Sequence, residues 1–191
     1  ADNVAIGEAA GEYAAQWCAD NGRDACNIAE IRGLEGAPPA KDRGDGFRAG
    51  LVAGGLSEDN IVFSQNADWL RERAVPAAAA AFQAHPDLDV LYGHNDPMAE
   101  GAYIAAQDAG IDISKVLFIG IDALPTPDGG IMSVLDGRLG VTFVYPTGGK
   151  QAIEWAHRIL VEGVNPPLWL VLPFDTVSPE NAQAVCNAFA C

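Results

Sequence analysis

Apolar residues recur along this chain first at helical spacing, then in short blocks, with brief polar or glycine-rich connections between them. Ile6, Ala10, Tyr13, Ala14 and Trp17 share one face of a first helix, and residues 27–32 read as the strand that follows. Residues 33–37 form a turn. Pro38 and Pro39 suit the first turn of a helix, on which Arg43, Phe47 and Leu51 follow at helical spacing. A strand at 61–64 and a helix at 68–84 come next, with Pro76 predicting a kink or a restart inside that helix because it lacks an N–H. The alternation continues with strands at 89–92, 116–121 and 141–144 and helices at 97–109 and 130–136. Beyond these, the pattern predicts a helix at 148–162, a strand at 168–172 and a last helix at 178–190. Strands alternating with helices across short loops predict an α/β fold, a three-layer parallel sheet with helices on both faces.

Two strand ends carry chemistry. The run VLYGHNDPMAEGAYIAAQDAG, 90–110, ends a short strand in His94-Asn95-Asp96 and starts a helix at once, and VLFIGIDALP delivers Asp122 to a turn in the same way. In open α/β sheets, ligands bind at the carboxyl ends of strands. Asp96 is expected to cap the helix, leaving the amide of Asn95 free for a ligand. His94 is expected to pack at the strand end, and Glu100 and Asp108 to ride the exposed face of the helix.

Composition narrows the function. With 191 residues, 49% of them hydrophobic, the chain can bury a substantial core. No apolar run is long enough to span a membrane, and no charged, apolar and small-residue leader stands at the front. A formal net charge of -15 argues against nucleic-acid and anionic-membrane partners. Four cysteines form two close pairs, Cys18 with Cys26 and Cys186 with Cys191, and His85, His94 and His157 lie far from them, which disfavours zinc. Two local disulfides imply an oxidising compartment, periplasmic or extracellular; the alternative is four unrelated buried thiols. The dinucleotide, P-loop and GxSxG patterns are missing, and no cofactor is implied.

Five stretches then carry a family resemblance: GLEGAPPAKDRGDGF at 33–47, NADW at 66–69, GHNDPMAEGA at 93–102, GIDALP at 120–125 and DGRLGVTFVYPTGGKQA at 136–152. In their order and spacing the chain resembles the periplasmic sugar-binding proteins of the ribose-binding type, which share their fold with the effector domains of LacI repressors. The resemblance implies a type 1 periplasmic-binding-protein lobe, half of a two-lobed clamp that closes on a small polyhydroxylated ligand. It begins at a point resembling the crossover into the second lobe, so a fragment of a longer protein is expected. Residues 1–145 would be the second, C-terminal lobe, 146–175 a return segment to a missing first lobe, and 176–191 a C-terminal helix tied to the second lobe. The return segment should be loose, swapped between copies or docked on another chain.

By the same resemblance, Arg43 offers ligand hydroxyls its guanidinium fork, Trp69 stacks on an apolar sugar face, and Asn95 and Asp122 supply hydrogen bonds. Tyr145 occupies a position where many relatives carry glutamine. The implied partner is an ABC transporter permease or, alternatively, a chemotaxis receptor or sensor kinase in the membrane. A LacI-type repressor effector domain would share these motifs but belongs in the cytosol. An enzyme on this fold would need an acid-base pair, and Asp122 with His94 is the only pair that can be assembled.

Overall fold

The computed structural model describes residues 1–23 and 25–191. In chain order it contains α1 (Asn3–Asp20), β1 (Ile28–Arg32), α2 (Pro38–Ala53), β2 (Ile61–Asn66), α3 (Arg71–Ala84), β3 (Val90–Gly93), α4 (Asp96–Asp108), β4 (Leu117–Ile119), α5 (Gly130–Leu135), β5 (Thr142–Phe143), α6 (Gly149–Leu160), β6 (Thr176–Val177) and α7 (Ala182–Phe189). The central sheet runs in the order β2-β1-β3-β4, all parallel. Parallel bridges from Ile119 to Val141 and from Asp122 to Val144 carry it on towards β5, whose other side pairs antiparallel with β6.

Alternate strand residues feed two cores, as the two-residue period of a strand requires. Ile28, Val90, Tyr92 and Ile119 pack with α1 and α2 around Ile6, Ala10, Phe47 and Leu51. On the opposite face, Ala29, Ile31, Leu91 and Phe118 pack with the alanine-rich α3 and α4, with Ile131 of α5 and with Ala182 and Cys186 of α7. Both faces are covered, which is why the strands read as apolar runs rather than as alternating ones.

Helices α1 and α2 meet backbone to backbone. A Cβ on Gly46 would lie 2.1 Å from the carbonyl oxygen of Val4, one on Gly50 2.1 Å from that of Glu8, and one on Gly11 2.2 Å from that of Phe47. Only glycine permits this approach. It brings Asn3, at the start of α1, to Arg43 in the second turn of α2.

Beneath that pair lies a buried polar network. Glu30 accepts hydrogen bonds from Arg48 at 2.8 Å and Ser64 at 2.8 Å, and lies 2.9 Å from His94 Nε2. Burial by itself raises the Glu30 carboxyl, but hydrogen bonds from His94 and Arg48 outweigh it and hold the group well below the usual carboxylate range. Burial lowers the His94 imidazole, and its Nδ1 accepts from the Gly33 amide at 3.4 Å, a bond that only the neutral ring can make.

Four expectations need correction. Helix α3 is continuous through Pro76, so of the kink or restart expected there the restart does not occur; the proline is on the solvent side, and water can serve the Glu72 carbonyl that loses its donor. Glu100 is buried rather than exposed: it takes a hydrogen bond from Arg138 at 2.9 Å and another from the Ser133 hydroxyl, so α5 and the turn after it cover it. Asp108 is exposed as expected. Asn95, not Asp96, caps α4, since Asn95 lies in the extended region and its side-chain oxygen accepts from the Met98 amide at 3.0 Å. Asp96 turns inward instead.

The fourth correction is the 168–172 strand, which does not form. An extended apolar segment becomes a strand only where a neighbouring edge takes its backbone groups. Here Leu168 is 96% and Trp169 85% exposed. Helix α6 likewise buries none of its residues, and its Ile153 is 74% exposed. Both cysteine pairs are bonded, Cys18 to Cys26 between α1 and β1 and Cys186 to Cys191 at the end of α7.

Candidate functional site

The carboxyl ends of the strands surround an open cleft of about 330 Å³, lined by Ala37, Pro39, Arg43, Trp69, Asn95, Asp122 and Tyr145. All five candidate ligand residues named from the sequence therefore meet in one place. They come from five segments: α2, the turn after β2, the β3–α4 junction, the loop after β4 and the chain after β5. Strand order reverses between β1 and β3, the switch point at which such sheets open a crevice.

Arg43 is held from several sides. Its Nε donates to Asn3 Oδ1 at 3.0 Å, Nη1 donates to the His94 carbonyl, and Nη2 lies 3.7 Å from Asp122 Oδ1. The guanidinium carbon is 5.5 Å from the Trp69 ring centre and 5.1 Å from that of Tyr145, within cation–π range of both. Trp69 has a backbone φ of 70°, and its indole packs onto Gly33, where a Cβ would fall 2.1 Å from the ring. The Trp69 carbonyl accepts a hydrogen bond from Asn95 Nδ2 at 3.1 Å. Asn95 thus spends its oxygen on the helix and one amide hydrogen on the Trp69 turn, leaving its second hydrogen and a lone pair for a ligand.

Asp122 has φ 118° and Ala123 φ 50°, conformations that cost non-glycine residues about 1–3 kcal/mol each and that gather at binding sites. The Asp122 amide donates to the Phe143 carbonyl at 2.9 Å, and the Tyr145 amide donates to the Asp122 carbonyl at 3.3 Å. Burial pushes the Asp122 carboxyl up to about 6, against the pull of the Arg43 cation. Behind it, burial raises Asp96 to about 7; hydrogen bonds from Thr142 and two backbone amides oppose the rise, while the Asp122 charge adds to it. One cation facing one carboxylate makes a cleft suited to a neutral ligand rich in hydroxyls, with two aromatic faces beside it.

His94 makes no acid-base pair with Asp122, because its ring is engaged by Glu30 and Gly33. Sequence reasoning missed Asn3 and Thr142 and gave Asp96 the helix cap in place of its inward role, because all three act through contacts between distant segments. A second cleft of about 330 Å³ opens near the amino ends of the strands, but its charged groups are engaged, Arg23 with Asp89 at 3.3 Å, Lys115 with Asp112 at 3.2 Å, and Asp87 accepting from Asn27 Nδ2 at 2.9 Å. Among the described residues no cluster could hold a metal ion, and no helix is long and apolar enough to cross a membrane.

A doubly wound lobe with hydrogen-bonding and aromatic groups gathered at its switch point has the layout at which open α/β sheets bind small molecules. The chain belongs to the periplasmic binding protein domain family, whose model matches residues 1–161. It is 34% identical over 161 residues to the ribose import binding protein of Escherichia coli K12, covering 83% of this chain and 50% of that protein. The galactofuranose-binding protein of the same organism is 30% identical over 188 residues, covering 96% of this chain and 57% of the relative. Among solved structures, the fructose-binding periplasmic domain of a hybrid two-component system matches with a TM-score of 0.87 at 34% identity, over 100% of this chain and 61% of that one. The Caulobacter myo-inositol-binding protein matches with a TM-score of 0.79 at 27% identity, over 96% of this chain and 60% of that one. The chain spans about half the length of the ribose import binding proteins it matches. Each of these relatives is named for binding a sugar or polyol.

Proposed function

We propose that this chain is a ligand-binding lobe of an exported solute receptor that holds a small, neutral, polyhydroxylated molecule of the sugar or polyol class. The convergence of Arg43, Trp69, Asn95, Asp122 and Tyr145 on one cleft carries the reading. Arg43 donates to ligand oxygens, Asp122 accepts from ligand hydroxyls, Asn95 contributes its remaining donor and acceptor, and Trp69 and Tyr145 offer apolar faces to ring C–H groups. Binding, not bond-breaking, is the function. Relatives named for ribose, galactofuranose, fructose and myo-inositol support the ligand class.

Residues 1–145 form this lobe, 146–175 belong to a counterpart lobe, and 176–191 return to it. The reading is supported by α6, which buries none of its residues, while β6 pairs with β5 and Ala182 and Cys186 of α7 enter the core. Periplasmic or extracellular placement is supported by the family and by relatives named as periplasmic, and by the bonded cysteine pairs. Delivery to an ABC importer is the first reading of the partner. A membrane sensor is the second, favoured by the similarity to the periplasmic domain of a two-component system.

The lobe alone should bind weakly or not detectably, because it leaves much of the ligand in water; calorimetry of the lobe joined to its counterpart against D-ribose, D-allose, D-fructose, D-galactose and myo-inositol tests the proposal. One of them should bind, and Asp122→Ala should weaken it by roughly 1.5–3 kcal/mol, or about tenfold to a hundredfold, because ligand hydroxyls lose their acceptor. Unchanged affinity in Arg43→Ala, Asn95→Ala and Asp122→Ala alike would remove the cleft from consideration.

A further inference from the structure

Asp122 and Ala123 hold consecutive positive φ angles of 118° and 50° without the freedom of glycine. Such a backbone persists only where its surroundings impose it. Here the surroundings are two side chains that do not line the cleft. Thr142, buried on β5, accepts the Ala123 amide at 3.2 Å through its hydroxyl oxygen and donates the hydroxyl hydrogen to Asp96 Oδ1 at 2.6 Å. Asp96 Oδ2 accepts the amides of Leu124 at 3.1 Å and Gly130 at 3.1 Å, and the Asp96 amide donates to the Ile121 carbonyl at 2.7 Å. The backbone on both sides of the Asp122 bend is therefore tied to this pair. Space has been kept for the carboxylate, since a Cβ on Gly120 or Gly130 would fall 2.4 Å or 2.3 Å from its oxygens.

From this geometry we infer that Asp96 and Thr142 are positioning residues, which impose the bend that aims the Asp122 carboxylate at Arg43 and the ligand. The inference rests on the cleft being the ligand site. Only a hydroxyl can accept from Ala123 and donate to Asp96 at once, so valine, of the same shape, breaks both links while serine keeps them. A buried carboxylate that has lost these donors would no longer fix the loop.

The test has two readouts. In the ligand-free chain, three-bond HN–Hα couplings at Asp122 and Ala123 should shift towards negative-φ values in Thr142→Val and in Asp96→Asn. Amide exchange at Ala123 and Leu124 should speed up alongside, and Thr142→Ser should restore both. Couplings unchanged in both variants would overturn the proposal. In the second readout, Thr142→Val should weaken whichever panel sugar binds tightest by roughly tenfold, the scale of one lost hydrogen bond. The same substitution in an Asp122→Ala background should change affinity little, because its effect passes through Asp122. An equal loss in that background would show that Thr142 supports the fold at large and would overturn the positioning role. If Asp122→Ala alone leaves affinity unchanged, the assignment of the cleft falls, while the couplings still report whether the pair holds the bend.

Discussion

Gly46→Ala tests how the site is built from the helix pair beneath it. On an exposed helix this change stabilises by about 0.8–1 kcal/mol, because alanine restricts the unfolded chain and favours the helix. Here the added Cβ would lie 2.1 Å from the Val4 carbonyl oxygen and 2.9 Å from the Glu8 nitrogen, whereas ordinary contact begins at 3.4 Å. The obstacle is backbone, which cannot turn aside as a side chain can, so α1 and α2 must part by more than 1 Å. Overpacking of this kind costs about 1–3 kcal/mol or more, and the cost exceeds the propensity gain. We expect a net loss of about 1–2 kcal/mol, or roughly 2–8 °C in melting temperature for a chain of this length. Parting the helices also draws Asn3 away from Arg43 Nε, a contact now 3.0 Å long, so sugar affinity should fall as well. Urea unfolding monitored by circular dichroism measures the first effect and calorimetry the second. Gly149→Ala is the control: nothing lies within 4 Å of its added Cβ, and it should be neutral or stabilising. A Gly46→Ala chain more stable than the parent would refute the close packing and the support it gives Arg43.

Other expectations are more direct. Sugar affinity should be full above neutrality and fall as pH drops through about 6, because Asp122, raised by burial, then gains a proton and stops accepting as an anion; a flat profile from pH 8 to 5 would contradict this. In the ligand-free chain the same shift acts the other way. The folded state binds that proton more tightly than the unfolded chain, whose value is 3.8, so the contribution of Asp122 to stability should decline as pH rises from about 4 to about 6, as denaturant titrations would show. Thiol titration of unreduced, denatured protein should find no free cysteine, and loss of the Cys18–Cys26 link, which closes a short loop, should cost about 2–3 kcal/mol in unfolding experiments. Ile153→Glu and Leu160→Glu should leave the stability of this chain within about 0.5 kcal/mol, since both side chains are mostly exposed; a large loss would mean that α6 is packed here.

The features legible before folding are those that depend on near neighbours along the chain. Periodicity located each strand of the central sheet and helices α1 to α5, because burial on one stripe or in one short run leaves a pattern within a few residues. Strand-end position and residue type, read with the family resemblance, named the five side chains that line the cleft. The cysteine pairs were legible for the same reason, each being close along the chain. The misses were matters of tertiary contact. Whether Asn95 or Asp96 caps α4 was decided by Thr142, Leu124 and Gly130, which claim the Asp96 carboxylate from more than 25 residues away. Glu100 looked like a solvated helix residue until Arg138 and Ser133 were folded over it. Residues 168–172 have the composition of a strand, yet composition cannot supply the neighbouring edge that its backbone groups need. The glycines of α1 and α2 read as weak helix formers, and only the approach of one backbone to the other shows that a side chain at those positions would collide. Local pattern is written in the spacing of residues, whereas the partner of a buried polar group or a bare backbone surface is set by which distant segment the fold brings against it.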